Sequence, residues 1–135
     1  MANMNVIYTG ELKTKATHLD SGSTMITAAP KDNNGDGSTF SPTDLLCTSL
    51  ASCKLTIMAI KARAMDIAFE GVEVSVQKIM TQQPPRKIAE VILTFDWHGL
   101  DQRITPEQLE SLKRSAKQCP VALSLDASVV QTTNW

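Results

Sequence analysis

Two cysteines occupy positions where thiol chemistry could occur. Cys53 lies within a long apolar stretch, and Cys119 directly precedes Pro120. Because proline suits the first turn of a helix, we expect the Cys119 sulfur at a helix N-terminus, where N–H groups favour a thiolate. A peroxide-reducing thiol must be ionised, shielded from over-oxidation and close to a second thiol. Buried cysteines are more often small core residues, and the pattern alone leaves that alternative open.

The third cysteine, Cys47, is expected to pack in the core. It precedes Cys53 by six residues, about 600° of helix rotation, so the two side chains would point to different faces. The cysteines show no C-x2–4-C spacing, and His18 and His98 form no H-x3–5-H pair. The sequence therefore predicts no metal site.

A long helix is expected to carry Cys53. No glycine or proline interrupts residues 43–65. Ser41, Pro42 and Asp44 have the residue types of an N-cap, a first helical position and a capping box. Spacings of three and four predict one buried face, formed by Leu46, Leu50, Cys53, Ile57, Ile60 and Ala64. A second apolar stripe borders it, which favours a central helix covered on more than one side. This stripe consists of Cys47, Ala51, Met58, Ala62 and Met65.

The remaining elements predict an α+β domain. Short β-prone or alternating runs predict strands at residues 6–9, 12–17, 24–27, 72–77, 89–97 and 128–131. A capping box at Thr105 to Gln108 begins a second helix, and Pro120 opens a short third one. The order is βββ-α-ββ-α-α-β, which we interpret as one domain over residues 1–135.

Charge and hydropathy exclude some classes of function. Thirteen basic and fourteen acidic side chains give a net charge of −1, whereas nucleic-acid and anionic-membrane binders need a dense basic face. The apolar runs are shorter than the ~20 residues that span a bilayer, and the N-terminus has no signal-peptide pattern. We therefore expect a cytoplasmic protein with no nucleic-acid or membrane partner, and with its odd number of cysteines reduced.

The two cysteine segments resemble signatures of the OsmC/Ohr family. Residues 41–53 read S-P-T-D-L-L-C-T-S-L-A-S-C, similar to the family's central-helix signature, and Cys119-Pro120-Val121 resembles its second signature. The polar, glycine-containing loop at residues 31–39 and the order of elements also agree. The resemblance implies an OsmC-like fold, with a long central helix packed on antiparallel sheets, and an intertwined homodimer.

The resemblance also implies an activity. Members of the family are thiol peroxidases that act on organic hydroperoxides and hydrogen peroxide in oxidative-stress defence. Cys53 would then be the peroxidatic thiol and Cys119 the resolving thiol, with an external dithiol as reductant and no metal, flavin or haem cofactor. An apolar wall of Leu50, Ile57 and Met58, with Phe40, would favour alkyl peroxides.

One departure from the family pattern keeps a second function open. Well-studied members have a Glu directly after the helix-opening proline, paired with an Arg of the N-terminal strands. Here Thr43 follows Pro42, and no Arg precedes Arg63. We expect Thr43 and an inward-pointing His18 to position the substrate, the alternative being a turn histidine. Without the Glu–Arg pair, the chain could instead be a small-molecule or thiol-binding dimer with weak or no activity.

Overall fold

The computed structural model describes residues 1–135, which fall into two compact units, residues 1–46 and 47–135. The elements follow in the predicted order, with one short helix, α2, added. They are β1 (Met4–Gly10), β2 (Lys13–His18), β3 (Thr24–Ala28), α1 (Pro42–Ala64), β4 (Glu73–Met80), β5 (Ile88–Asp96), α2 (Leu100–Arg103), α3 (Pro106–Ser115), α4 (Pro120–Ser124) and β6 (Val130–Asn134). Two 3-10 turns, Lys31–Asn33 and Ala116–Gln118, complete the chain.

The first unit contains the predicted meander, an antiparallel sheet in the order β1-β2-β3. In its register Val6 pairs with Ala16, which pairs with Met25, so these residues share one face of the sheet. That face, called here the apolar sheet face, presents four large side chains that are 51–64% exposed, Met4, Val6, Tyr8 and Met25. Such a continuous exposed apolar surface is typical of a protein–protein contact.

The helix α1 begins as predicted. The Ser41 hydroxyl accepts a hydrogen bond from the Asp44 N–H at 3.1 Å, and the Asp44 carboxylate accepts one from the Ser41 N–H at 2.9 Å. Each bond satisfies a backbone donor that the first turn of a helix leaves without a partner.

The core covers mainly the second of the two predicted apolar stripes of α1. The buried residues are Cys47, Leu50, Ala51, Lys54, Met58 and Ala62. Of the first predicted face only Leu50 is among them, whereas Leu46 is exposed and Ile60 is 63% exposed. The helix is apolar around most of its circumference, so the spacing of its apolar residues did not decide which of the two stripes the core covers more completely.

The helix α1 has about the predicted length, and its composition bears on the prediction that no segment spans a membrane. With 23 residues it is long and apolar enough, by those two criteria alone, to cross a membrane. The core helix of a soluble protein meets the same criteria. Lys54, in the middle of α1, is buried against a backbone carbonyl of the second unit, as expected of a helix that packs on protein.

The second unit contains a three-stranded sheet in the order β4-β5-β6. The pair β4–β5 is antiparallel, as predicted, and β6 runs parallel to β5. Val91, Leu93, Phe95 and Trp97 are buried on one face of this sheet, which confirms the alternation read from the sequence. Trp135 extends the core: its ring lies 4.6 Å from that of Phe95 between centroids, and its carbonyl accepts a hydrogen bond from Trp97 Nε1 at 2.8 Å.

Candidate thiol site

Cys53 and Cys119 come together in the second unit. Cys119 is the N-cap of α4, directly before Pro120, and its side chain is 0% exposed. Its sulfur accepts a hydrogen bond from the Ala122 N–H at 3.4 Å. Cys53, on α1, is half-buried against the same core. The Cys53 side chain lies close enough to Cys119 to affect the pKa of the Cys119 thiol, and all three cysteines of the chain are free.

The environment of Cys119 favours its protonated form. Burial raises the pKa of the Cys119 thiol above its ordinary value of 9.0, and the neighbouring Cys53 side chain raises it further. The N–H groups of Ala122 and Val121 lower this pKa, but by less. The expectation of a Cys119 thiolate is therefore wrong. The helix it caps has only five residues, and desolvation outweighs the two N–H groups.

The two thiols differ in exposure. Cys53 is half-buried, so its sulfur is near the protein surface, whereas Cys119 is fully buried.

Lys54 is a buried residue that the sequence analysis did not identify. It is 8% exposed, and its Nζ donates a hydrogen bond to the Ala116 carbonyl at 3.1 Å. The same carbonyl accepts the Cys119 N–H at 3.4 Å. A signal was present in the sequence, because Lys54 is the one basic residue between positions 42 and 60, and a lysine in an apolar helix needs a partner.

The apolar residues around Cys53 belong to the core. Cys47 is buried, as predicted. Leu50 and Met58, which were expected to form the wall of a substrate pocket, are fully buried by the chain itself. Ile57 is half-buried. Leu50 and Met58 therefore pack the interior instead of lining a substrate pocket.

The two residues expected to position a substrate lie in the first unit. His18 is exposed at the end of β2, and its Nδ1 is 2.7 Å from the Ser21 hydroxyl in the following turn. It is thus a turn histidine rather than an inward one. Thr43 is half-buried in the first turn of α1, with its hydroxyl 3.2 Å from that of Ser41. A role for either residue in substrate positioning stays a prediction.

Three exposed side chains with metal-ligand atoms also lie close together, Glu73, Asp96 and His98. The His98 Nε2 is 3.6 Å from an Asp96 carboxylate oxygen. Exposed acidic groups are commonly found this close without an ion, so the cluster supports no assignment.

Comparisons with known proteins agree on one family. The family model described as OsmC-like protein matches residues 35–134. A solved structure from Psychrobacter arcticus 273-4, of a protein with a suggested role in osmotic stress and detoxification, is 43% identical, with a TM-score of 0.88, covering 99% of this chain and 95% of that one. No curated protein gave a significant match.

More distant structures have the same fold. The organic hydroperoxide resistance protein OsmC of Legionella pneumophila is 18% identical, with a TM-score of 0.72 over 97% of this chain and 93% of that one. The organic hydroperoxide resistance protein OhrB of Bacillus subtilis is 16% identical, with a TM-score of 0.65 over 99% and 96%.

Proposed function

Because the chain belongs to the OsmC-like protein family, we propose that it is a cysteine-based hydroperoxide reductase in oxidative-stress defence. The family includes organic hydroperoxide resistance proteins. The observation that carries the proposal for this chain is the proximity of the Cys53 and Cys119 side chains. Two neighbouring thiols can pass from a sulfenic acid to a disulfide without a large movement of the chain.

The first step reduces the peroxide. The Cys53 thiolate attacks the outer oxygen of ROOH, the O–O bond breaks, and Cys53 becomes a sulfenic acid. The alkoxide takes up a proton and leaves as an alcohol, or as water when the substrate is hydrogen peroxide. Cys53 suits this role because it is half-buried, so a small peroxide can reach its sulfur.

The second step forms the disulfide. The Cys119 sulfur attacks the sulfenic sulfur of Cys53, the S–O bond breaks, and the leaving hydroxide combines with the Cys119 proton as water. An external dithiol then exchanges with the disulfide, restoring both thiols and becoming oxidised itself. Sulfur supplies all of the redox chemistry, so the proposed cycle needs no metal, flavin or haem.

A binding protein without turnover is the second candidate. Thr43 follows the helix-opening Pro42 where well-studied members have a Glu, and His18 is bonded to Ser21 in a turn. Both observations favour a weakened or lost catalytic step. Such a protein would keep both cysteines reduced when it is mixed with peroxide.

The proposal includes a homodimer of single-domain chains in the cytoplasm. The apolar sheet face, which is exposed in one chain, supports the dimer, because a second copy would remove it from water. The net charge of −1 agrees with an absence of nucleic-acid partners.

Peroxide consumption by purified variants, with a dithiol present, tests the function. We expect the Cys53→Ser variant to lose it, because no nucleophile remains. Cys119→Ser should complete one turnover and leave a Cys53 sulfenic acid that a 1,3-diketone reagent labels. Cys47→Ser is the matched control and should retain turnover.

Two outcomes would contradict the proposal. Full activity of Cys53→Ser would end the assignment of that residue as the nucleophile. Intact thiols in the wild type after treatment with alkyl hydroperoxide would favour the binding protein instead.

A further inference from the structure

We propose that Lys54 is a positioning residue that holds the Cys119 turn against α1, so that the two sulfurs stay within reach of disulfide formation. This role deepens the proposed function and rests on it for its purpose. Lys54 touches no reacting atom in the proposed cycle, and it acts through Ala116. Its effect should therefore appear in how readily Cys53 and Cys119 pair, rather than in the attack on peroxide.

The burial of Lys54 is the first observation behind this role. A lysine is almost never buried without a partner, because removing an ammonium group from water is costly. Lys54 is 8% exposed and donates to the Ala116 carbonyl at 3.1 Å. The acceptor begins the Ala116–Gln118 turn that follows α3, and the C-terminal end of a helix favours a cation near its carbonyl groups.

The shared carbonyl is the second observation. The Ala116 oxygen accepts both the Lys54 ammonium and, at 3.4 Å, the Cys119 N–H. Lys54 follows Cys53 directly in the chain. The Ala116 carbonyl thus connects Lys54, which is next to Cys53, with the backbone of Cys119. Lys54 and Ala116 are 62 positions apart in the sequence.

The geometry of a disulfide gives this connection a consequence. The two Cα atoms must come within about 7 Å of each other, with the side chains correctly directed. A turn fixed to α1 keeps Cys119 close to that arrangement, which raises the effective concentration of one thiol toward the other. Loss of the Lys54 bond would remove this polar connection between the turn before Cys119 and the middle of α1.

The effective concentration of the thiol pair provides a test that needs no peroxide. Each reduced variant is equilibrated with mixtures of reduced and oxidised glutathione, and the Cys53–Cys119 disulfide is quantified by mass spectrometry. Lys54→Met keeps the apolar stem but removes the charge and the donor. We expect it to lower the effective concentration by at least about tenfold. Lys54→Arg keeps a donor and should stay within about threefold of the wild type.

A matched control and a second readout separate positioning from general destabilisation. Lys61 lies on the same helix, about two turns further along, and is exposed, so Lys61→Met should leave the effective concentration unchanged. With peroxide, Lys54→Met should form the Cys53 sulfenic acid at the wild-type rate and accumulate it. A folded Lys54→Met variant with the wild-type effective concentration would overturn the proposal.

The wild-type protein provides a further measurement should Lys54→Met not fold. We expect the NMR signal of the Lys54 ammonium nitrogen to shift when Cys53 and Cys119 are oxidised, and that of Lys61 to stay in place. A Lys54 signal that is the same in both redox states would overturn the proposal. If the glutathione result holds while the wild type reduces no peroxide, the proposed function fails and the positioning role stands.

Discussion

At the scale of single residues, Cys119 shows how burial decides thiol chemistry. Its position before Pro120 places the sulfur near N–H groups, an arrangement that favours a thiolate. Complete burial and the neighbouring Cys53 side chain act in the opposite direction and prevail. A buried, protonated thiol is protected from external oxidants, which suits a resolving partner better than a first nucleophile.

The raised pKa of Cys119 predicts an alkaline loss of stability. In the unfolded chain this thiol has its ordinary pKa of 9.0, and in the folded chain the pKa is higher. The folded state therefore favours the thiol, and the resulting stabilisation is complete below the ordinary pKa and is lost as the pH rises through the folded value. We expect the stability advantage of the reduced wild type over Cys119→Ala to shrink as the pH rises above 9.0.

Urea unfolding of both proteins in the presence of a reductant, from neutral to alkaline pH, measures this difference. An advantage that stays constant or grows above the ordinary pKa of 9.0 would contradict the assigned direction of the shift.

At the scale of elements, the helices begin where side chains bind the backbone. In α3 the Thr105 hydroxyl accepts the Gln108 N–H at 3.1 Å, and the Gln108 side chain accepts the Thr105 N–H at 2.9 Å. This capping box sets the start of α3, which buries Leu112 and leads into the turn that carries Ala116. A well-defined α3 therefore supports the position of Cys119.

We expect Thr105→Ala to lower the free energy of unfolding by about 1 kcal/mol, because removal of the Thr105 hydroxyl leaves the Gln108 N–H without its acceptor. The matched control is Thr56→Ala in α1, where the hydroxyl donates to the Ser52 carbonyl at 2.8 Å within the helix. Such bonds slightly destabilise helices, so this control should be neutral or stabilising. Equal losses in the two variants, measured by urea unfolding, would refute the capping argument.

At the scale of the whole molecule, exposed apolar surface indicates how chains associate. The sequence argument for a dimer was the apolarity of the central helix, and Ile60 is indeed exposed on α1. The larger group of exposed apolar side chains, however, is the apolar sheet face of the first unit. Burying such a face in a second copy is favourable at roughly 25 cal/mol for each Å² of apolar area.

We therefore expect light scattering to give twice the chain mass of 14.7 kDa. Val6→Lys, which places a charge on the apolar sheet face, should shift the protein toward the monomer by at least about tenfold in dissociation constant, because the charge would lose its water in the dimer. Asp20→Lys, in the turn after β2, adds a lysine off that face and should leave the mass unchanged. A monomeric wild type at micromolar concentration would refute the dimer.

Features that depend on neighbours within a few residues were determined by the sequence itself. The capping boxes at Ser41 and Thr105 each join residues three positions apart, and the alternation from Val91 to Trp97 needs only the period of a strand. Cys119 became an N-cap because Pro120 follows it. The order of elements, and the two segments that carry the thiols, followed from these local signals.

The tertiary structure decided whatever depends on distant parts of the chain. Of the two apolar stripes predicted on α1, it buried mainly the one that includes Met58 and left Ile60 of the other exposed, since an almost uniformly apolar helix has no preferred side of its own. It also reversed the expected ionisation of Cys119, because desolvation depends on everything that covers the sulfur. The Lys54–Ala116 bond spans 62 residues, and only packing of the second unit could bring those two groups together.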